Sequence, residues 1–168
     1  MEGFDVQRIE GRGVVLRPWR DSDVPAMVEL FDEPQVALRT PLPSPFTQQA
    51  ARDRLDKARD PDLLLLAVTT DGERPLGEVM VTSTGTMGYA LGARHRGQGL
   101  ATRALTLLRD HAHDVLGLPV LQLEIEPDNE ASIAVARASG FSLVPGATRS
   151  GESKGRRYEL HRWEHVAG

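Results

Sequence analysis

The chain has no cysteine. That absence removes a disulfide framework, a thiolate nucleophile and any cysteine-ligated zinc site. Long hydrophobic runs are missing too. A helical membrane span needs about 18 consecutive apolar residues, and the longest apolar run, Leu63 to Val68, has only the length of a strand. The opening residues, "MEGFDVQRIEGRG", are acidic and polar and lack the basic-then-apolar pattern of a secretory signal. Together these readings point to a cytoplasmic protein without a membrane segment. Excess positive charge is also absent. A net charge of −4 argues against a general nucleic-acid binder, whose affinity comes from neutralising phosphates. With no repeat, low-complexity tract or linker, residues 1–168 read as one domain, and a hydrophobic share of 40% is enough to give it a core.

What is present is an ordered succession of strand-like and helix-like segments. "GVVLRPW" (13–19) reads as a strand, and Asp21 or Ser22 caps a helix whose face carries Val24, Met27, Val28, Leu30 and Phe31. Three prolines make residues 39–46 irregular, and Thr47 caps the helix that follows. "LLLLAVTT", "LGEVMVTS" and "TMGYAL", separated by tight turns, predict an antiparallel meander. From Leu100 to Gly117 the apolar residues recur at helical spacing, Val115 and Leu116 included. "PVLQLEIEP" is a strand with Leu121, Leu123 and Ile125 on one face and Gln122, Glu124 and Glu126 on the other. A short helix to Gly140 and a final hairpin complete the chain.

Between the meander and the long helix stands "YALGARHRGQGLATRAL", residues 89–105. A glycine-rich turn at a helix start offers unsatisfied amides to an anion, with no Cβ in the way. Arg94, Arg96 and Arg103 add positive charge. No Gly-Lys-Ser/Thr follows, which removes a P-loop, and Thr102 stands where a dinucleotide fingerprint needs glycine or alanine.

The run "RGQGLA", Arg96 to Ala101, resembles the acyl-coenzyme A signature of the GNAT acetyltransferases, Gln/Arg-x-x-Gly-x-Gly/Ala; a frame from Arg94 also satisfies the pattern. Its surroundings, "GYAL" before it and "NEASIAVARASGF" after it, resemble the RimJ/RimL-like branch, over roughly residues 13–163. The resemblance implies an α+β GNAT fold: a mostly antiparallel central sheet of about seven strands, about four flanking helices, and a cofactor cleft between the fourth and fifth strands. It implies acetyl-CoA as cosubstrate and no metal. Tyr89, Ala90 and Leu91 would face the pantetheine arm. Arg96, Gly97, Gln98, Gly99, Leu100, Ala101 and Thr102 would cradle the pyrophosphate. Asn129 would contact the cofactor arm, although it is equally a helix cap, and Tyr89 is equally a core aromatic.

For the chemistry, the resemblance implies direct attack of an amine on the thioester. Glu124 stands where RimI-like relatives carry the base, and the alternative is an ordinary solvated strand face with Gln122 and Glu126. Some relatives place a proton-donating tyrosine seven residues after the asparagine, where this chain has Ala136. In RimL-like relatives the serine of Asn-x-x-Ser is the proposed donor, which the resemblance carries to Ser132, the alternative being a cap-box-like role in the first turn of the helix. Thr86 replaces an acidic residue common in relatives. Two functions follow: an N-acetyltransferase acting on a protein N-terminus or a small amine, or an acyl-CoA-binding protein without turnover. Neutralising lysine at pH 7 costs about 4.6 kcal/mol against about 1 kcal/mol for an α-amine, which favours the α-amine. Glu124 and Glu126 would also suit a cationic acceptor. A homodimer is left open. His111 and His113, two apart on a helix, read as solvated rather than as metal ligands.

Overall fold

The computed structural model describes residues 8–168. Five strands form an antiparallel sheet in simple sequence order: β1 (Ile9–Gly11), β2 (Val14–Pro18), β3 (Leu63–Thr69), β4 (Gly77–Thr82) and β5 (Met87–Leu91). Three more form a second antiparallel sheet, in which β8 (Arg156–Val166) lies between β6 (Val120–Ile125) and β7 (Ser142–Ser153). The helices are α1 (Val24–Phe31), α2 (Pro34–Arg39), α3 (Gln48–Lys57), α4 (Leu100–Asp114) and α5 (Glu130–Ala138). The α+β expectation stands, with one strand and one helix more and the sheet divided in two. β1 escapes a sequence reading because it is three residues long, and α2 because six residues span less than two turns.

The continuous apolar run of β3 is explained by burial on both faces. Leu64, Leu66 and Val68 join α4 residues such as Ala104, Leu105 and Leu108 on one side, while Leu63, Leu65 and Ala67 meet Met27, Phe31 and Phe46 on the other. The helical stripe of α4 ends earlier than its apolar pattern: Val115 caps the helix and is 67% exposed. Among the described residues no helix is long and apolar enough to cross a membrane.

Among the described residues one backbone bridge joins the two sheets. Thr86, just before β5, forms a parallel bridge with Gln122 on β6. Gln122 also donates its amide to Gly85 O at 2.9 Å and its side-chain Nε2 to Thr86 Oγ1 at 2.9 Å. Beyond this apex β5 and β6 run the same way but diverge, so β5, the last strand of its sheet, keeps an open edge. The cleft expected between the fourth and fifth strands is this splay, counted one strand later because of β1.

Candidate active site

After Leu91 the chain must reverse into α4. A single 3-10 turn, Ala93–His95, starts the reversal, and Gly97 and Gly99 complete it with φ of +75° each. That region crowds a Cβ, hence glycine. A Cβ built on either glycine would meet nothing within 4 Å, so the outer side of the turn is open. The first helical bond runs from Arg103 N to Gly99 O at 3.1 Å. Consequently the amides of Leu100, Ala101 and Thr102 have no intrahelical carbonyl, and the positive end of the helix dipole lies among them. Arg96 donates to Leu91 O at 3.0 Å and pairs with Glu33, whose carboxylate caps α2 through the amides of Gln35 and Val36. The guanidinium thus ties the turn to α2, and partial burial lowers its pKa. Gln98 folds back onto Arg94 O at 3.2 Å.

Beside the turn lies a cleft of about 510 Å³ between β5, α2 and the start of α5. Its far wall carries Asn129 and Ser132. Asn129 Oδ1 accepts the amide of Ser132 at 3.3 Å, the capping bond of α5, which leaves Nδ2 as the group it can offer a ligand. Tyr89 reaches across from β5 and donates its hydroxyl to Ser132 Oγ at 2.9 Å. Burial raises the Tyr89 pKa, opposed by the bond to Ser132, so the phenol stays protonated at neutral pH. Because Ser132 accepts from Tyr89, its own hydroxyl proton is free to point elsewhere.

Tyr89, Asn129 and Ser132 also line a second cavity of about 370 Å³ on the other side of that wall. This chamber holds two carboxylates from strands. Glu78 on β4 is 3% exposed and takes Arg54 on both oxygens, at 3.3 and 2.6 Å. Glu124 on β6 is held by Arg149, with Nε to Oε2 at 2.8 Å and Nη2 to Oε1 at 3.2 Å. The chamber shares Arg39, Glu124 and Glu126 with an outer mouth of about 580 Å³ between α2 and the β7–β8 hairpin. Glu126 is 8% exposed. Arg156, then Arg39, holds it below the usual carboxylate range against the opposing effect of burial.

A family model of the acetyltransferase (GNAT) domain matches residues 14–142. The chain belongs to the GNAT acetyltransferases. Solved structures share the fold. A RimL ribosomal L7/L12 α-N-protein acetyltransferase in complex with coenzyme A is 19% identical, with a TM-score of 0.83 over 95% of this chain and 98% of that one. Mycobacterium smegmatis RimJ in complex with CoA-disulfide is 21% identical, with a TM-score of 0.82 over 96% and 87%. The microcin C7 self-immunity acetyltransferase MccE, in complex with acetyl-CoA and AMP, is 17% identical, with a TM-score of 0.81 over 94% of each chain. A search of the curated proteins found no match.

In this GNAT domain Tyr89, Ala90, Leu91, Arg96, Gly97, Gly99, Leu100, Ala101, Thr102, Asn129 and Ser132 line one cleft. Gln98 does not; it is exposed on the outside of the turn. Glu124 lies in the neighbouring chamber. Ala136 is fully buried in the core, so the position of the absent tyrosine faces away from the cleft. Three features were not anticipated. Glu78 interrupts an apolar strand opposite Ala67 and Ala90, and that interruption was the available signal for a buried carboxylate with a partner. The Tyr89 to Ser132 bond and the Arg39, Glu126, Arg156 cluster join residues far apart in sequence, so no local pattern announces them. Two expectations are corrected. Glu126 is buried in an ion-pair cluster rather than on a solvated face, because the strand ends at Ile125 and the alternation ends with it. His111 and His113 are half-buried, and His113 bonds Leu118 O at 2.7 Å and His165 Nδ1 at 2.8 Å.

Proposed function

We propose that this GNAT domain is an acetyl-CoA-dependent N-acetyltransferase of the RimJ/RimL-like branch whose acceptor is an α-amine. The observation that carries the reading is the Tyr89 to Ser132 bond standing where the glycine-turn cleft meets the acceptor chamber. A pyrophosphate on the amides of Gly97 to Thr102 directs the pantetheine arm along the open edge of β5, past Leu91 and Ala90, toward that wall. The thioester then faces an amine arriving through the chamber. Nitrogen bonds to the carbonyl carbon, and free N–H groups of the β5 edge stabilise the oxyanion. Glu124 takes the proton leaving nitrogen. The carbon–sulfur bond breaks, and Ser132, held in place by Tyr89, gives its proton to the thiolate, the proton collected by Glu124 returning to the serine through solvent.

A second reading has its own support. Both oxygens of Glu124 are engaged by Arg149, and the carboxylate must loosen that contact before it accepts a proton. A protein that binds acyl-CoA without turnover would need no such step. Thiol release from acetyl-CoA in the presence of two matched peptides decides between them: one with a free N-terminus and blocked lysine, the other the reverse. Release with the first peptide supports the transferase. Faster release with the second removes the α-amine, and coenzyme A binding without release from either leaves the binding protein.

A further inference from the structure

The outer mouth opens onto the chamber that holds Glu124, and its charge is not that of the whole chain. Arg39, Arg149, Lys154 and Arg156 line it against Glu124 and Glu126, an excess of two positive charges in a chain of net −4. Neither carboxylate is free: Glu124 is engaged by Arg149, and Glu126 by both Arg39 and Arg156. Asp128, bound to Arg39 from the rim, lowers the excess to one. Lys154 has no carboxylate partner among the described residues. Its ammonium donates to the carbonyls of Ala37 and Thr40, which leaves one of three N–H donors for a ligand. Deeper in, Glu78 is neutralised by Arg54. A cationic acceptor would therefore cross a positive mouth to reach carboxylates already paired, whereas an anionic one gains at the entrance.

Resting on the acetyltransferase reading, we propose that the acceptor is an α-amine flanked by carboxylates, either an acidic N-terminal peptide or a free acidic amino acid, with the mouth as its anion-binding subsite. The rival acceptor weighed from the sequence, a cation drawn to Glu124 and Glu126, would meet carboxylates already engaged by Arg149, Arg39 and Arg156.

The test measures binding and transfer separately. Three peptides carry the same free N-terminal serine and a label at the far end, followed by two aspartates, two asparagines or two lysines. Anisotropy is read at saturating coenzyme A. The aspartate peptide should bind about tenfold tighter than its asparagine isostere at low salt, with the gap closing as ionic strength rises to about 0.3 M. Lys154→Gln should narrow the gap, while Arg157→Gln, which removes a 91%-exposed side chain outside the mouth, should not. Equal or tighter binding of the asparagine or lysine peptide overturns the proposal, as does a gap indifferent to salt. Competition by free aspartate or glutamate, but not by their side-chain amides, supports it with an amino acid as the source; competition by the peptide alone supports it with a protein N-terminus. Initial rates with acetyl-CoA separate the two readings. Preference in binding without acetyl transfer removes the transferase and keeps the anion subsite, whereas transfer with a basic preference does the reverse.

Discussion

A single hydroxyl pair gives the site its polarity. Tyr89 donates to Ser132, so Ser132 has a proton to spare toward the cleft. Ser132→Ala should lower kcat/KM roughly 10²-fold, with a deficit that persists at high pH. Tyr89→Phe removes only the orienting bond and should cost about 1 kcal/mol, roughly fivefold in rate, with acetyl-CoA KM little changed. Glu124→Gln should show another pattern, a loss greatest near neutral pH that recovers as the acceptor amine neutralises itself. Rate profiles from pH 6 to about 10 distinguish the three, and equal pH-independent losses would assign all of them to positioning. That Ser132 and Asn129 share one cleft wall was legible because they sit in a short motif at the start of one helix. The partner of Tyr89 was not, since it depends on how closely β5 approaches α5.

At the scale of elements, the glycine turn was legible in full: an apolar strand, glycines where φ must be positive, then a helical stripe. Gly99→Glu places a side chain and a negative charge where the cradle is open, and should weaken coenzyme A binding at least about tenfold by calorimetry while leaving the circular dichroism intact. Packing predicts a contrasting outcome. Leu105 on α4 is fully buried against β3 and its neighbours, so Leu105→Ala should cost about 2–5 kcal/mol in denaturant unfolding. What the sequence could not convey was α2. Its helix rests on a Glu33 cap that also receives Arg96, a tertiary contact rather than a periodic signal.

For the whole molecule, acid should act in two stages. Burial is the main cause lowering the pKa of both His111 and His165, so the folded protein prefers these rings neutral. Unfolded, they titrate near about 6.5. Stability is therefore complete above that pH and falls as pH drops below it, because the unfolded chain binds protons more readily. Glu126, whose pKa is lowered by Arg156 and Arg39, adds a second loss beginning near about 4.3, where an unfolded glutamate protonates. Melting temperatures from pH 8 to about 2.5 at fixed ionic strength should show both steps, and His165→Phe should flatten the upper one. A melting temperature that stays level down to pH 5 would contradict the first. The sequence reading of His111 and His113 as solvated failed most plainly for His113, because its partner His165 comes from β8, about fifty residues downstream.

The junction at Thr86 and Gln122 has a consequence measurable by isotope exchange. An edge strand leaves alternate amides facing water, so those on the open side of β5 should exchange deuterium quickly, while those paired with β4 exchange slowly. A ligand lying in the splay would take the place of a missing strand and slow the fast set selectively. Protection should then appear at the open-side amides toward the Leu91 end, without any change of backbone shape, and the set of amides that slows would trace the ligand's path residue by residue.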